Sequence, residues 1–121
     1  TDMNFDSLMT QALNAVPQEK ISGLQAVIQV NTLEDSPRAC FWTIREGQCT
    51  FQQGKAENPS LTLEATPSDF MKIVTGKLSP MAAAALGRLQ VTGNMQLAMS
   101  MANIFKNYQN PAASDQVKNT G

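Results

Sequence analysis

Thr66-Pro67-Ser68-Asp69-Phe70-Met71-Lys72-Ile73-Val74-Thr75-Gly76-Lys77-Leu78-Ser79-Pro80-Met81-Ala82-Ala83-Ala84-Ala85-Leu86-Gly87 spells two helices together with their ends. Thr66 offers a capping oxygen, Pro67 suits a first helical position where no amide partner is needed, and Asp69 adds an acid in the first turn. Phe70, Ile73 and Val74 then share one side, and Gly76 stops the helix. Ser79-Pro80 repeats the start signal, and the short helix Met81–Leu86 ends at Gly87. On the C-terminal side, Leu89 and Val91 alternate with Gln90 and Thr92 as a strand, after which Gly93-Asn94 opens a last helix from Met95 to Phe105 or just beyond. On the N-terminal side, Leu61, Leu63 and Ala65 alternate with Thr62, Glu64 and Thr66, a period of two that predicts another strand.

Further upstream the spacing predicts a hairpin, Ala39–Arg45 and Gln48–Gln53, turning at Glu46-Gly47. A two-residue turn sets Trp42 opposite Phe51 and Ile44 opposite Cys49, so that Cys40, Trp42, Ile44, Cys49 and Phe51 share a face. In that register the two cysteines lie about 13 Å apart along the strands at ~3.3 Å per residue, too far to bridge, and are expected as free thiols. Before the loop 33–37, Leu24, Ala26, Ile28 and Val30 form the apolar side of a first strand. Phe5, Leu8, Met9, Ala12, Leu13 and Val16 recur at helical spacing ahead of Pro17. The order α-β-β-β-β-α-α-β-α, with one apolar face per strand, calls for a single sheet with helices packed on one face: an α+β architecture.

A chain of 121 residues fits a single domain over 1–121, since two domains of half that size would each have a marginal core. The polar stretch 107–121, with Pro111, is expected as a mobile tail or a loosely held lid. Hydrophobic residues at 42% and charged residues at 16% suit a packed interior rather than a disordered chain. Nine basic residues against ten acidic ones give a net charge of −1, with no footprint for nucleic acid or an anionic membrane surface. No histidine is present, which excludes histidine bases and histidine metal sites. Two cysteines make neither a four-thiolate metal site nor a disulfide scaffold, and a cytoplasmic location is the default.

The remaining motifs are bland. Thr75-Gly76-Lys77 ends like a phosphate-binding loop, but Leu78 and Met71 occupy positions where that loop needs a hydroxyl and a glycine. Pro59 blocks glycosylation at Asn58, and Glu34-Asp35 reads as a solvated turn. The least charged window, Leu78 to Phe105, is broken by Pro80, Gly87 and Gly93, so no integral membrane segment is expected. No nucleophile–base pair converges, so neither catalysis nor a cofactor is expected.

The final helix departs from an ordinary amphipathic pattern. Only Gln96, Ser100 and Asn103 are polar between Met95 and Phe105, and they form one narrow stripe. Such a helix needs apolar neighbours on two sides. The preceding helix, with four alanines in a row, supplies almost no bulk, and methionine is as frequent as all aromatic residues together. Flexible thioethers and alanines suit a solid core poorly. Three readings remain open at this level: an internal apolar cavity, an oligomer interface and a plain core.

The run Phe70-Met71-Lys72-Ile73-Val74-Thr75-Gly76-Lys77-Leu78-Ser79-Pro80, continued by Gly87-Arg88-Leu89-Gln90-Val91-Thr92-Gly93-Asn94-Met95, closely resembles the C-terminal half of the sterol carrier protein type 2 domain. The resemblance implies a mixed, mostly antiparallel five-stranded sheet, helices on one face and a hydrophobic tunnel between the layers. It also implies non-covalent binding of sterols, fatty acids, fatty acyl-CoAs or phospholipids without catalytic residues. Gly76, Gly87, Gly93 and Pro80 would then hold the tunnel wall rather than touch a ligand. Met81 and the alanines stand where many members carry lysine and aromatics, which widens the expected cavity. Ser100 stands where lysine is common, which lowers the expectation of an acyl-CoA phosphate. The absence of a peroxisomal C-terminal tripeptide leads us to expect a bacterial or archaeal stand-alone protein, or a domain of a longer chain.

The expected function is binding and transfer of a hydrophobic lipid, with Ile28, Trp42, Phe51, Met81, Ala84, Ala85, Met95, Met99 and Phe105 as the wall. The alternative is a protein-interaction or assembly module, for example an accessory factor in isoprenoid-quinone metabolism, with a weak homodimer as one candidate assembly.

Overall fold

A computed structural model describes Ser7, Thr10 and residues 18–107. Of the first expected helix, Ser7 and Thr10 are helical; the rest of that helix, and the expected lid beyond Asn107, lie outside the described residues. A four-residue helix, α1 (Gln18–Ile21), precedes the first strand and buries Ile21. It has no counterpart in the sequence reading, because four residues are too few to display a helical period.

Five strands follow the expected order: β1 (Ala26–Thr32), β2 (Ala39–Arg45), β3 (Gln48–Gln53), β4 (Leu61–Ala65) and β5 (Gln90–Gly93). They form one sheet ordered β3-β2-β1-β4-β5. The β1–β4 pair is parallel and the other three are antiparallel. The hairpin has the expected register, Trp42 opposite Phe51 and Ile44 opposite Cys49. Glu46 and Gly47 turn it with φ of 53° and 76°, the left-handed pair that matches the twist of the flanking strands.

Three helices follow β4: α2 (Pro67–Val74), α3 (Pro80–Ala85) and, after β5, α4 (Met95–Asn107). Their starts are set by side-chain caps. Thr66 Oγ1 accepts the Asp69 N–H at 3.1 Å, Ser79 Oγ accepts the Ala82 N–H at 3.0 Å, and Asn94 Oδ1 accepts the Leu97 N–H at 3.0 Å. Gly76 and Gly87 take left-handed φ just past α2 and α3.

The core lies between sheet and helices. Ile28 and Val30 of β1, Cys40, Trp42 and Ile44 of β2, and Leu61 and Ala65 of β4 meet Phe70, Ile73 and Val74 of α2 and Ala83 of α3. The opposite face of the sheet is partly covered by the loop 54–60. Gln29, expected on the solvent side of β1, is 4% exposed there. Its Nε2 donates to the carbonyls of Cys40 and Gly54 and to Asn31 Oδ1, and its Oε1 accepts the Ala56 N–H. At the far end of β1, the Thr32 hydroxyl and then the Arg38 guanidinium hold the Glu34 carboxyl below its ordinary range and close the loop 33–38.

Candidate lipid-binding site

The helical layer does not seal the sheet. An apolar cavity of about 430 Å³ lies between them, nearly three times the roughly 150 Å³ that stays dry and accepts benzene in an engineered core. The sheet contributes Ile28, Trp42, Leu61, Leu63 and Val91. These are inward positions brought side by side by the pairings Ile28↔Leu61, Ile28↔Trp42 and Leu63↔Val91. From α2 come Phe70, Ile73 and Val74; from α3, Pro80, Met81 and Ala84, with Leu89 beyond it; from α4, Met95, Ala98, Met99, Met101 and Ala102. None of these side chains is charged, and the one polar group they bring is the Trp42 indole N–H. That nitrogen is buried and makes no hydrogen bond among the described residues.

Small side chains create the space. Ala84, Ala98 and Ala102 stand where leucines would meet in an ordinary helix–sheet core. Methionines mark the mouth: Met81, Met95 and Met99 line the cavity and yet are 59%, 51% and 58% exposed. No described side chain of α4 is fully buried; Leu97, Ala98, Met101 and Ile104 pack half-buried against the core. The excess of apolar surface on this helix therefore goes to a cavity and its rim.

Six of the nine residues expected as a ligand wall line the cavity: Ile28, Trp42, Met81, Ala84, Met95 and Met99. Phe51 does not. It sits on the edge strand β3, whereas α4 packs against β4 and β5, so the space opens toward the other edge of the sheet. Ala85 is exposed in the last turn of α3, whose cavity side carries Pro80, Met81 and Ala84. The Phe105 side chain lies outside the described residues. Among the wall residues that the sequence reading missed are Leu61, Leu63, Phe70, Ile73, Val74, Leu89 and Val91. Each was recognised as inward-facing, and what was missing was the parallel β1–β4 pairing that sets β4 beside Ile28.

Neither thiol serves this site. Cys40 is buried and Cys49 half-buried, neither forms a disulfide, and burial pushes the Cys49 thiol up to about 11. Among the described residues no group of three His, Cys, Asp or Glu side chains is placed to hold a metal ion.

A mixed sheet with helices on one face and an apolar space between them defines a lipid-binding α+β fold. The model of the SCP-2 sterol transfer family matches residues 5–106, and the chain belongs to that family. It is 32% identical over 99 residues to the peroxisomal multifunctional enzyme type 2 of Mus musculus and 30% identical over 90 residues to sterol carrier protein 2 of Homo sapiens. These alignments cover 79% and 71% of this chain but only 14% and 16% of those relatives. Among solved structures, apo sterol carrier protein 2 from Yarrowia lipolytica superposes with a TM-score of 0.66 at 22% identity, covering 88% of this chain and 89% of that one. A ubiquinone synthesis protein, UbiJ-SCP2, superposes with a TM-score of 0.63 at 18% identity, covering 88% and 96%. At these identities the structural likeness establishes the fold.

Proposed function

We propose that this chain binds one hydrophobic lipid (a sterol, fatty acid, fatty acyl group or phospholipid) in the cavity between sheet and helices, and carries it without chemical change. The observation that carries the reading is the 430 Å³ space walled by apolar side chains and rimmed by methionines. Burial of an acyl chain supplies about 0.8 kcal/mol per methylene, so ~14 carbons bring a gross drive near 11 kcal/mol. Association and ordering take back several kcal/mol, which leaves micromolar or tighter binding without a charged anchor. Adaptable methionines favour a class of chains over one exact shape. Among the described residues no charged group, nucleophile or base lines the wall, so the ligand is held by its apolar body.

Native mass spectrometry of protein expressed in bacteria tests this. We expect a co-purified lipid adduct that dissociates on unfolding. Uniformly unliganded protein that also ignores fluorescent fatty-acyl probes would overturn the reading. That Cys40 and Cys49 form no disulfide supports placing the chain in a reducing, cytoplasmic setting.

The exposure of Met95 and Met99 supports a second reading, in which α4 docks on another chain or on a second copy as part of an assembly. UbiJ-SCP2, by its name a ubiquinone synthesis protein, lends that reading a structural parallel. Light scattering separates the two: a dimer abolished by Met99→Asp, in protein free of lipid, favours assembly.

A further inference from the structure

One polar group faces an otherwise apolar wall. Trp42 stands on the inward face of β2, between Ile28 of β1 and Phe51 of β3 in the two pairings, and is 5% exposed. Both cross-strand neighbours are hydrocarbon, and the helices bring only hydrocarbon and thioether groups to the cavity. Among the described residues the Trp42 indole nitrogen is the one buried side-chain nitrogen or oxygen without a hydrogen-bond partner. Gln29, on the opposite face of the same sheet, shows the contrast: its buried amide finds three acceptors and a donor.

A buried indole N–H ordinarily finds an acceptor, because one left unpaired forfeits the water it gave up on burial. Filling space alone does not call for it; Phe51, directly across the strand pair, supplies an aromatic ring with no polar atom. The position of Trp42 is also particular. The wall runs from Trp42 on β2 through Ile28 on β1 and Leu61 and Leu63 on β4 to Val91 on β5, three strand spacings or about 14 Å. The helix α4, which carries the exposed rim residues Met95 and Met99, packs against β4 and β5. The N–H therefore lies at the end of the wall away from the rim that α4 supplies.

We propose that Trp42 is the polar recognition point of the cavity: its indole N–H donates a hydrogen bond to an oxygen at the inner end of the bound lipid, whose hydrocarbon part runs back toward the methionine rim. That oxygen is uncharged. Among the described residues no charged side chain lines the wall, so a carboxylate or phosphate taken into this space would meet a single neutral donor, too little to replace its hydration. The ligand class is therefore a lipid with one small uncharged acceptor (a hydroxyl, a protonated carboxyl or an ester carbonyl), and a phosphate-bearing head group stays at the mouth. This assignment rests on the carrier reading and narrows it.

Because Trp42 is the chain's only tryptophan, its indole N–H gives a single nitrogen–proton NMR signal. The whole chain, stripped of lipid, is titrated with a long-chain alcohol and with the alkane of equal length. Affinities are read by displacement of a fluorescent fatty-acyl probe, whose own affinity is measured for each protein. We expect the alcohol to move the indole proton downfield and the alkane not to. Trp42→Phe, which keeps an aromatic ring and removes the donor, should weaken alcohol binding about tenfold relative to alkane binding. An indole proton that the alcohol leaves in place, in wild-type protein that binds it, overturns the proposal whether or not the variant folds. Equal effects of Trp42→Phe on alcohol and alkane also overturn it and reduce Trp42 to a shape-filling ring. In both cases the carrier reading stands. Protein that binds neither ligand nor the probe removes the carrier reading itself, and this assignment with it.

Discussion

Gly93 shows how little freedom a single residue has where β5 meets β4. Its φ is +118°, and a Cβ there would lie 2.5 Å from the Ser60 carbonyl oxygen, a backbone atom that cannot swing aside. Ser60 is itself pinned, since its amide donates to the Val27 carbonyl and its hydroxyl accepts the Val27 N–H. Gly93→Ala should therefore cost about 3 kcal/mol or more in urea unfolding, combining backbone strain with a clash. Gly54, at φ +107° but with open space around it, should cost only the strain, about 1–2 kcal/mol. Cys49 makes a prediction in pH. The folded protein keeps its thiol protonated up to about 11, while the unfolded chain releases the proton near the ordinary 9.0. The folded state then binds more protons between those values, so stability is unaffected below pH 9 and falls as pH rises toward about 11. Urea unfolding across that range should show wild type losing stability faster than Cys49→Ala; parallel curves would refute the assignment.

The elements were legible where a local signal fixes both ends. Thr66-Pro67 and Gly76 delimit α2, and Glu46-Gly47 fixes the hairpin register, because cap and turn chemistry act within four residues. The surroundings of β1 were not legible from local pattern. Gln29 alternates with apolar neighbours as a surface residue should, but the loop 54–60, far along the chain, folds over it and turns it into a buried clasp. Gln29→Leu should destabilise the protein by about 2–4 kcal/mol, because the Ala56 amide and the Cys40 and Gly54 carbonyls lose a partner in a partly dry setting. Limited proteolysis should then cut within residues 54–58, where wild type resists. The site followed the same rule. Residues on α3 and α4 announced themselves by composition, whereas Leu61 and Leu63 depended on a parallel crossover pairing with no local signature, and Phe51 was assigned to the wall from a hairpin that lies beyond the cavity.

For the molecule as a whole, the account turns on one statement: the space between sheet and helices exists to be filled by a hydrocarbon chain. The protein supplies its own reporter, because its only tryptophan, Trp42, lines that space with an indole N–H that has no partner among the described residues. Titration with fatty acids carrying a bromine or nitroxide quencher along the chain should quench Trp42 emission saturably, at one chain per protein. Ala98→Leu, which fills part of the cavity, should weaken that binding about tenfold while the fold persists. Quenching that never saturates, or that is indifferent to Ala98→Leu, would contradict the account.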